Sequence, residues 1–263
     1  MSPSNWFVFI SGAPRPLTRL ICFPYACGSA SIYRGWKAYF PETIELIGIQ
    51  PPGRETRFAE PLITDFREYV KQASNAILTL PKLPTILFGH SLGAAVAFEV
   101  CHALEARGHG PSGLIVSGRP SPEYPLTRKR IASLPDHAFL KGLDEFNGTP
   151  KEILQNQDLV DLFLPLWRAD FSMAESYVEH ANKQPVTAPI LAIGSKQDPW
   201  LTDGAISQWS RFTKGGFEEA SFDGDHFYLN QQGPALSALI RKKMMMQDVS
   251  PAGTQIHLPS VDP

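Results

Sequence analysis

The sequence predicts an α/β fold with a mostly parallel central sheet flanked by helices, and three observations support this. Short apolar segments alternate with segments of helical periodicity up to residue 118 and again after residue 186. Continuously apolar strands are typical of parallel sheets that helices cover on both faces. The stretch between the two parts shows only helical patterns. We therefore expect a core of residues 1–120 and 186–247, an inserted helical lid of residues 121–185 and a mobile tail of residues 248–263.

The first part of the chain supplies five expected strands. Each is a short apolar run, and proline or glycine limits several of them: Pro24 follows the second strand and Gln50–Gly53 follows the third. Helical spacing of apolar residues then predicts the intervening helices, one of which has an N-cap signal at Thr64-Asp65. The expected strands are Trp6–Ile10, Arg19–Phe23, Ile44–Ile49, Thr85–Phe88 and Gly113–Gly118; the expected helices pass through Tyr33, Trp36 and Phe40, over 66–77 and over 92–107.

After residue 120 the alternation stops, and helices are expected over 138–146, 150–155 and 159–177. A helical insertion between two strands of one sheet is typical of a lid over the active face. Ordinary helices that pack against the sheet are the alternative. The alternation resumes with a strand Ala188–Gly194, a helix Thr202–Phe212, a strand Phe217–Phe222 and a helix Pro234–Met246.

The segment Gly89–Gly93 has the pattern Gly-x-Ser-x-Gly between a predicted strand and a predicted helix. A turn from strand to helix within two residues leaves no room for side chains two positions before and after the serine, so glycine fits both places. The turn holds Ser91 in a strained conformation at a helix N-terminus, which favours developing negative charge. We expect Ser91 to be a nucleophile.

A serine nucleophile needs a base to take its proton and an acid to orient that base. In α/β-hydrolases the three occur in the order Ser, Asp or Glu, His, each after a strand. Asp198 follows the strand Ala188–Gly194, and His226 follows the strand Phe217–Phe222. The sequence therefore predicts an α/β-hydrolase fold with the catalytic triad Ser91, Asp198 and His226.

Other acids and bases remain as weaker candidates. His90 lies inside the turn, where its side chain should point away from the Ser91 hydroxyl. Two of the alternative acids flank His226, but an immediate neighbour rarely orients a ring from the required side. The alternative acids are Asp223, Asp225, Asp203 and Asp170, and the remaining histidines are His102, His109, His137, His180 and His257.

The negative charge that develops on the substrate oxygen during acyl transfer needs two backbone N–H donors. Leu92 follows the nucleophile and supplies one. The other should come from the small-residue loop after the second strand, and we expect it to be the N–H of Ala26. A plain glycine-rich turn is the alternative. The loop has no following lysine and no Gly-x-x-x-x-Gly-Lys pattern, so we do not expect it to bind phosphate.

The composition narrows the function further. A net charge of −2 gives no support for nucleic-acid binding. Cys22, Cys27 and Cys101 are odd in number and lack metal-ligand spacing, as expected of reduced thiols. No apolar run reaches membrane-spanning length, and Trp6–Ile10 is too short for a signal peptide. We expect a cytoplasmic monomer with neither nucleic-acid nor membrane partners.

Five segments taken together resemble type II thioesterases, the stand-alone α/β-hydrolases that accompany non-ribosomal peptide, polyketide and some fatty-acid synthases. The resemblance covers roughly residues 18–245. The segments are Phe23–Ala30, Pro52–Arg57, Gly89–Gly93, Gly224–Phe227 and Leu164–Phe171, the last with Glu175 and Tyr177 after it.

The resemblance implies hydrolysis of acyl groups from the phosphopantetheine arm of acyl or peptidyl carrier proteins, with no cofactor and no metal. It also implies Ser91 as nucleophile, His226 as base, Asp198 as acid, and Ala26 and Leu92 as oxyanion donors. One position departs from the family, which usually has glycine where this chain has Cys27. A side chain there could narrow the site or change the backbone of the loop. Cys27 as the nucleophile is a remote alternative.

Three other functions stay open at this stage. A medium-chain acyl-releasing thioesterase of a fatty-acid synthase shares these motifs. A serine carboxylesterase that acts on free small-molecule esters uses the same triad chemistry. A binding module that docks on a synthase without catalysis is the third, although a complete triad argues against it.

Overall fold

The computed structural model describes residues 3–12, 14–124 and 129–247, and these residues contain a seven-stranded sheet. The strands lie in the order β1-β3-β2-β4-β5-β6-β7. β1 pairs antiparallel with β3, and the other neighbouring pairs are parallel. The predicted mostly parallel α/β sheet is therefore confirmed. The strands are β1 Phe7–Ser11, β2 Thr18–Phe23, β3 Ile44–Ile49, β4 Thr85–His90, β5 Gly113–Ser117, β6 Ile190–Ser195 and β7 Phe217–Phe222.

Helices cover both faces of the sheet, which explains why β2 and β5 are buried at every position. Along β2, Ile21 and Phe23 pack on the face that α1 and α2 cover. Leu20 and Cys22 pack on the other face, beneath α6 and a 3-10 helix. The α-helices are α1 Phe66–Ile77, α2 Leu92–Glu105, α3 Asp136–Glu145, α4 Lys151–Leu154, α5 Gln157–His180 and α6 Gly233–Gln247; the 3-10 helices are Pro3–Trp6, Ala30–Tyr39, Glu55–Arg57, Ser207–Phe212 and Tyr228–Asn230.

Two expected helices differ in the structure. The helix through Tyr33 and Trp36 is a 3-10 helix rather than an α-helix. The expected helix Thr202–Phe212 is wrong in its first half, where turns precede a 3-10 helix that starts at Ser207. Gly204 has a φ of 81°, which interrupts a right-handed helix. The N-cap prediction is confirmed, because the Asp65 side chain accepts a hydrogen bond from the N–H of Glu68.

The helices α3, α4 and α5 form the region predicted to be a lid. They enclose a separate apolar cluster that includes Phe139, Leu143, Trp167 and Phe171. The function of this region as a lid and its boundaries stay predictions. The predicted tail of residues 248–263 lies outside the described residues. No helix in the described part of the chain is long and apolar enough to cross a membrane.

Candidate active site

The turn between β4 and α2 has the geometry that its sequence predicts. Ser91 has a φ of 55° and a ψ of −115°, and its N–H donates to the Ser117 carbonyl at 2.8 Å. A Cβ atom on Gly89 would come within 2.0 Å of the Gly93 oxygen, and one on Gly93 within 2.2 Å of the Phe23 oxygen. Glycine is therefore required at both places, and at Gly93 the reason is the close approach of the turn to the end of β2.

Asp198 and His226 come together at the C-terminal edge of the sheet. Asp198 follows β6 and His226 follows β7, and the His226 Nδ1 lies 2.6 Å from the Asp198 Oδ2. Both side chains are buried, so little water competes for this hydrogen bond. The Trp200 N–H donates to the second Asp198 oxygen at 2.9 Å and fixes the carboxylate. This is the arrangement that holds an imidazole in one tautomer and orientation.

The competing acids have other partners. Asp225 accepts the Phe227 N–H at 2.9 Å, and Asp223 forms an exposed ion pair with Lys196. Asp203 is exposed. Asp170 is buried and forms an ion pair with Arg54. The described contacts thus favour Asp198 as the partner of the base.

Ser91 and His226 open into one small cavity of about 30 Å³. Its walls come from five regions: the loop after β2, the turn at Ser91, the segment 143–149 and helix α5 of the predicted lid, and the chain around His226. A larger cleft of about 390 Å³ lies at the opposite, N-terminal edge of the sheet and contains none of the predicted site residues. The small cavity is lined by Tyr25, Ala26, Cys27, Ser91, Leu143, Phe146, Gly148, Thr149, Phe171, Ala174, His226 and Phe227.

The loop after β2 forms a tight turn, in which the Gly28 N–H donates to the Tyr25 carbonyl at 2.9 Å. Ala26 lines the cavity beside Ser91. Cys27 has a φ of 68°, a conformation that suits glycine and that few other residues adopt. Its N–H donates to Asp170 at 2.6 Å. Although this chain has cysteine where the family usually has glycine, the residue at position 27 still adopts the left-handed conformation, and the backbone there is strained.

The Cys27 thiol is a poor alternative to Ser91. Burial raises the pKa of this thiol well above its ordinary value, and the negative charge of Asp170 raises the pKa further. Because the thiolate is the reactive form of cysteine, a thiol that stays protonated is a weak nucleophile.

His90 takes no part in the cavity lining but lies directly behind the base. Its Nδ1 is 2.8 Å from the Ser117 Oγ, which is in turn 2.5 Å from the Tyr228 hydroxyl. The His90 and His226 ring centroids are 5.0 Å apart. Burial lowers the pKa of His90 well below its ordinary value. This neutral ring packs behind His226, an arrangement that sequence reasoning did not anticipate.

Sequence reasoning also missed the pairing of Arg54 with Asp170. Arg54 lies in the segment Pro52–Arg57, and Asp170 lies in helix α5. Both residues lie in segments that resemble the family, but they are more than a hundred positions apart and nothing in the sequence predicts that they pair. In the region described by the structure, no group of three or more His, Cys, Asp or Glu side chains is arranged to hold a metal ion.

Comparison with known proteins identifies the family of this chain. The thioesterase domain family matches residues 18–244. The chain is 37% identical to gramicidin S biosynthesis protein GrsT of Aneurinibacillus migulanus, over 86% of this chain and 88% of GrsT. It is 37% identical to thioesterase PikA5 of Streptomyces venezuelae, over 86% and 81% of the two chains.

Among solved structures, the type II thioesterase YbtT of the yersiniabactin biosynthetic pathway superimposes with a TM-score of 0.83. It is 29% identical in sequence, and the match covers 92% of this chain and 99% of YbtT. The family match spans both the core and the region predicted to be a lid. With its α/β-hydrolase architecture, the chain belongs to the thioesterase family and is a type II thioesterase.

Proposed function

We propose that this protein hydrolyses acyl and aminoacyl thioesters on the phosphopantetheine arms of carrier proteins in a non-ribosomal peptide or polyketide pathway, as an editing enzyme. One observation carries the proposal. A buried aspartate–histidine pair faces the same cavity as a serine at a strained strand-to-helix turn, in a chain of the thioesterase family. YbtT is a type II thioesterase of a pathway that combines non-ribosomal peptide and polyketide synthesis, and GrsT is a protein of gramicidin S biosynthesis.

In the first half of the proposed reaction, His226 takes the proton of the Ser91 hydroxyl while the Ser91 oxygen attacks the thioester carbonyl carbon. Asp198 holds the His226 ring and stabilises the positive charge that forms on it. The N–H groups of Ala26 and Leu92 stabilise the oxyanion. When the tetrahedral intermediate collapses, the carbon–sulfur bond breaks, His226 returns the proton to the sulfur, and the pantetheine thiol leaves.

In the second half, His226 takes a proton from water, and the resulting hydroxide attacks the acyl–Ser91 ester. The same backbone donors stabilise the second oxyanion. The carbon–oxygen bond to Ser91 then breaks, Ser91 regains a proton from His226, and the carboxylic acid is released. The proposed steps use side chains, backbone N–H groups and water, and they need no cofactor.

The site of action is part of the proposal. Cys22, Cys27 and Cys101 are free thiols, which suits a reducing compartment such as the cytoplasm. The carrier-protein domains of a synthase are the proposed partners. That the protein is a monomer stays a prediction.

The first experiment loads one carrier protein in parallel with acetyl, medium-chain and aminoacyl groups and follows acyl loss by intact-protein mass spectrometry. Rapid loss of acetyl and aminoacyl groups by the wild type is expected. Ser91→Ala should reduce the rate by about 10⁴-fold or more, because removing the nucleophile leaves only binding and oxyanion stabilisation. Preferred loss of medium-chain groups would instead indicate a chain-releasing enzyme of fatty-acid synthesis.

Two controls separate the remaining alternatives. Slow loss of every carrier-bound group, alongside fast cleavage of free small-molecule esters, would contradict the carrier-protein proposal and indicate a carboxylesterase. A fluorophosphonate reagent should label Ser91 in the wild type and leave Ser91→Ala unlabelled. Failure to label the wild type would indicate a binding module without catalysis.

A further inference from the structure

A buried ion pair joins the core to helix α5 next to the cavity. Arg54 donates from Nη1 to the Asp170 Oδ2 at 2.7 Å and from Nη2 to the Asp170 Oδ1 at 2.9 Å. The side chains are only 8% and 2% exposed. A two-bond contact between a planar guanidinium and a carboxylate fixes both direction and distance. The position of α5 relative to the segment after β3 is therefore well defined.

Both members of this pair also hold the oxyanion loop, which we define as Tyr25–Gly28. The Asp170 Oδ2 accepts the Cys27 N–H at 2.6 Å, and the Arg54 Nη1 donates to the Gly28 carbonyl at 2.9 Å. Two consecutive residues of the loop are thus bonded to the two halves of one ion pair. Within the loop, the Gly28 N–H donates to the Tyr25 carbonyl and closes the turn. Ala26, the proposed oxyanion donor, lies inside this fixed turn.

The backbone of the loop explains why it needs such support. Cys27 sits in a left-handed conformation that costs free energy for any residue but glycine. Rotation of the peptide between Ala26 and Cys27 would relieve the strain, but it would turn a carbonyl oxygen toward the Asp170 carboxylate in place of an N–H. Because two negative oxygens repel each other, the charge of Asp170 opposes that rotation.

We propose that Arg54 and Asp170 are positioning residues that set the oxyanion loop, so that stabilisation of the oxyanion by Ala26 depends on helix α5 being docked on the core. Neither side chain lines the cavity, and both act through the backbone of the loop. Oxyanion stabilisation is sensitive to displacements of a fraction of an ångström, since the donors must be in place before charge develops. This inference rests on the proposed serine mechanism.

The test is Asp170→Asn, which keeps the size of the side chain and removes its charge. The matched control is Glu45→Gln, which breaks the partly buried ion pair between Arg19 and Glu45 away from the cavity. Each variant is assayed with a soluble acyl thioester of N-acetylcysteamine for kcat and KM. Each is also titrated with an acyl trifluoromethyl ketone, whose adduct with Ser91 places an oxyanion between the Ala26 and Leu92 donors. Urea unfolding gives the stability of each.

For Asp170→Asn we expect kcat to fall by about 10- to 100-fold, with KM changed by less than about threefold, because the loop acts on the transition state. Affinity for the trifluoromethyl ketone should fall in the same proportion as kcat/KM. Arg54→Lys keeps the charge but loses the planar fork, so its kcat should lie between those of the wild type and Asp170→Asn. Glu45→Gln should leave kcat and inhibition within about twofold.

Two results would overturn the inference. In the first, Asp170→Asn loses stability but keeps the wild-type kcat and affinity for the ketone, so that the pair is merely structural. In the second, the loss appears in KM alone. If Asp170→Asn does not fold, Arg54→Lys gives the same readouts and decides between these results. Failure of the proposed function would appear differently, as absence of Ser91-dependent hydrolysis in the wild type.

Discussion

At the scale of single residues, Asp198 is distinguished from its rivals by contacts rather than by its position in the sequence. Asp223, Asp225 and Asp198 all lie near a strand end, and two of them are closer to His226 along the chain. Only folding shows that the 2.6 Å contact to the imidazole belongs to Asp198. A carboxylate in that place fixes the ring tautomer, which leaves the other ring nitrogen free to accept a proton.

The contact between Asp198 and the His226 ring leads to a prediction for Asp198→Asn. The amide still fits the site, but it favours the wrong tautomer and no longer stabilises an imidazolium ion. We expect kcat to fall by about 10³- to 10⁴-fold with little change in KM. Steady-state hydrolysis of an acyl thioester measures this loss.

The matched control is Asp225→Asn, because Asp225 is next to the base and accepts a backbone N–H instead. It should keep kcat within about threefold of the wild type. An equal loss in the two variants would contradict the assignment of Asp198 as the acid.

At the scale of elements, the segment between α3 and α4 forms one wall of the cavity that contains Ser91 and His226. Phe146 lines the cavity, with its ring centroid 4.2 Å from that of Trp200 and 5.0 Å from that of Phe171. Trp200 in turn contacts His226. Next to this wall, a Cβ on Gly148 would come within 2.4 Å of the Phe227 ring. The segment therefore packs against Trp200 and Phe227, the two aromatic neighbours of His226, and leaves a small cavity.

Phe146→Ala should enlarge the cavity and shift the preference toward longer acyl chains. We expect the ratio of kcat/KM for a medium-chain thioester to that for an acetyl thioester to rise about tenfold or more, since each accommodated methylene is worth about 1 kcal/mol. Competition between the two substrates in one assay measures this ratio.

Phe163→Ala serves as its control. Phe163 stacks on Trp167 in the same helical region but does not line the cavity. Its loss should lower stability and leave the chain-length preference unchanged. An equal shift in preference for both variants would mean that general loosening of the region, rather than the Phe146 wall, sets the specificity.

At the scale of the whole molecule, the burial of a histidine in the sheet makes the stability of the fold depend on pH. Burial lowers the pKa of His90 well below its ordinary value, and burial also lowers the pKa of His102. Below about pH 6.5 the unfolded chain takes up protons at these two positions more readily than the folded chain does. The free energy of unfolding therefore falls as the pH falls from about 6.5.

Urea unfolding at pH 7.0, 6.5, 6.0 and 5.5 should reveal this dependence. Each such histidine contributes a loss of up to about 1.4 kcal/mol per pH unit once the pH is below 6.5. His90→Gln should give a shallower dependence, because glutamine does not titrate and can still bond to Ser117. His109→Gln, at an exposed position, should keep the wild-type dependence. A slope unchanged in His90→Gln would contradict the role of His90.

The sequence by itself determined the alternation of strands and helices, the strained turn at Ser91 and the order of Asp198 and His226. These features are local: a run of apolar residues, a breaker, or two glycines around a serine carries its own geometric consequence. Cys27 was also identified from sequence as the place where the loop departs from its family. Its left-handed conformation was not.

The tertiary structure alone decided which side chains meet. Arg54 and Asp170 lie 116 positions apart, and their pairing exists only because α5 returns to the segment after β3. The same is true of the contact between Phe146 and Trp200, and of the contact between His90 and His226. Contacts of this kind depend on how separate elements pack against one another, and the periodicity of residues along the chain does not predict that packing. The turn at Ser91 and the order of the candidate triad could therefore be predicted from sequence, whereas the contacts of Arg54 and Asp170 with the loop Tyr25–Gly28 could not.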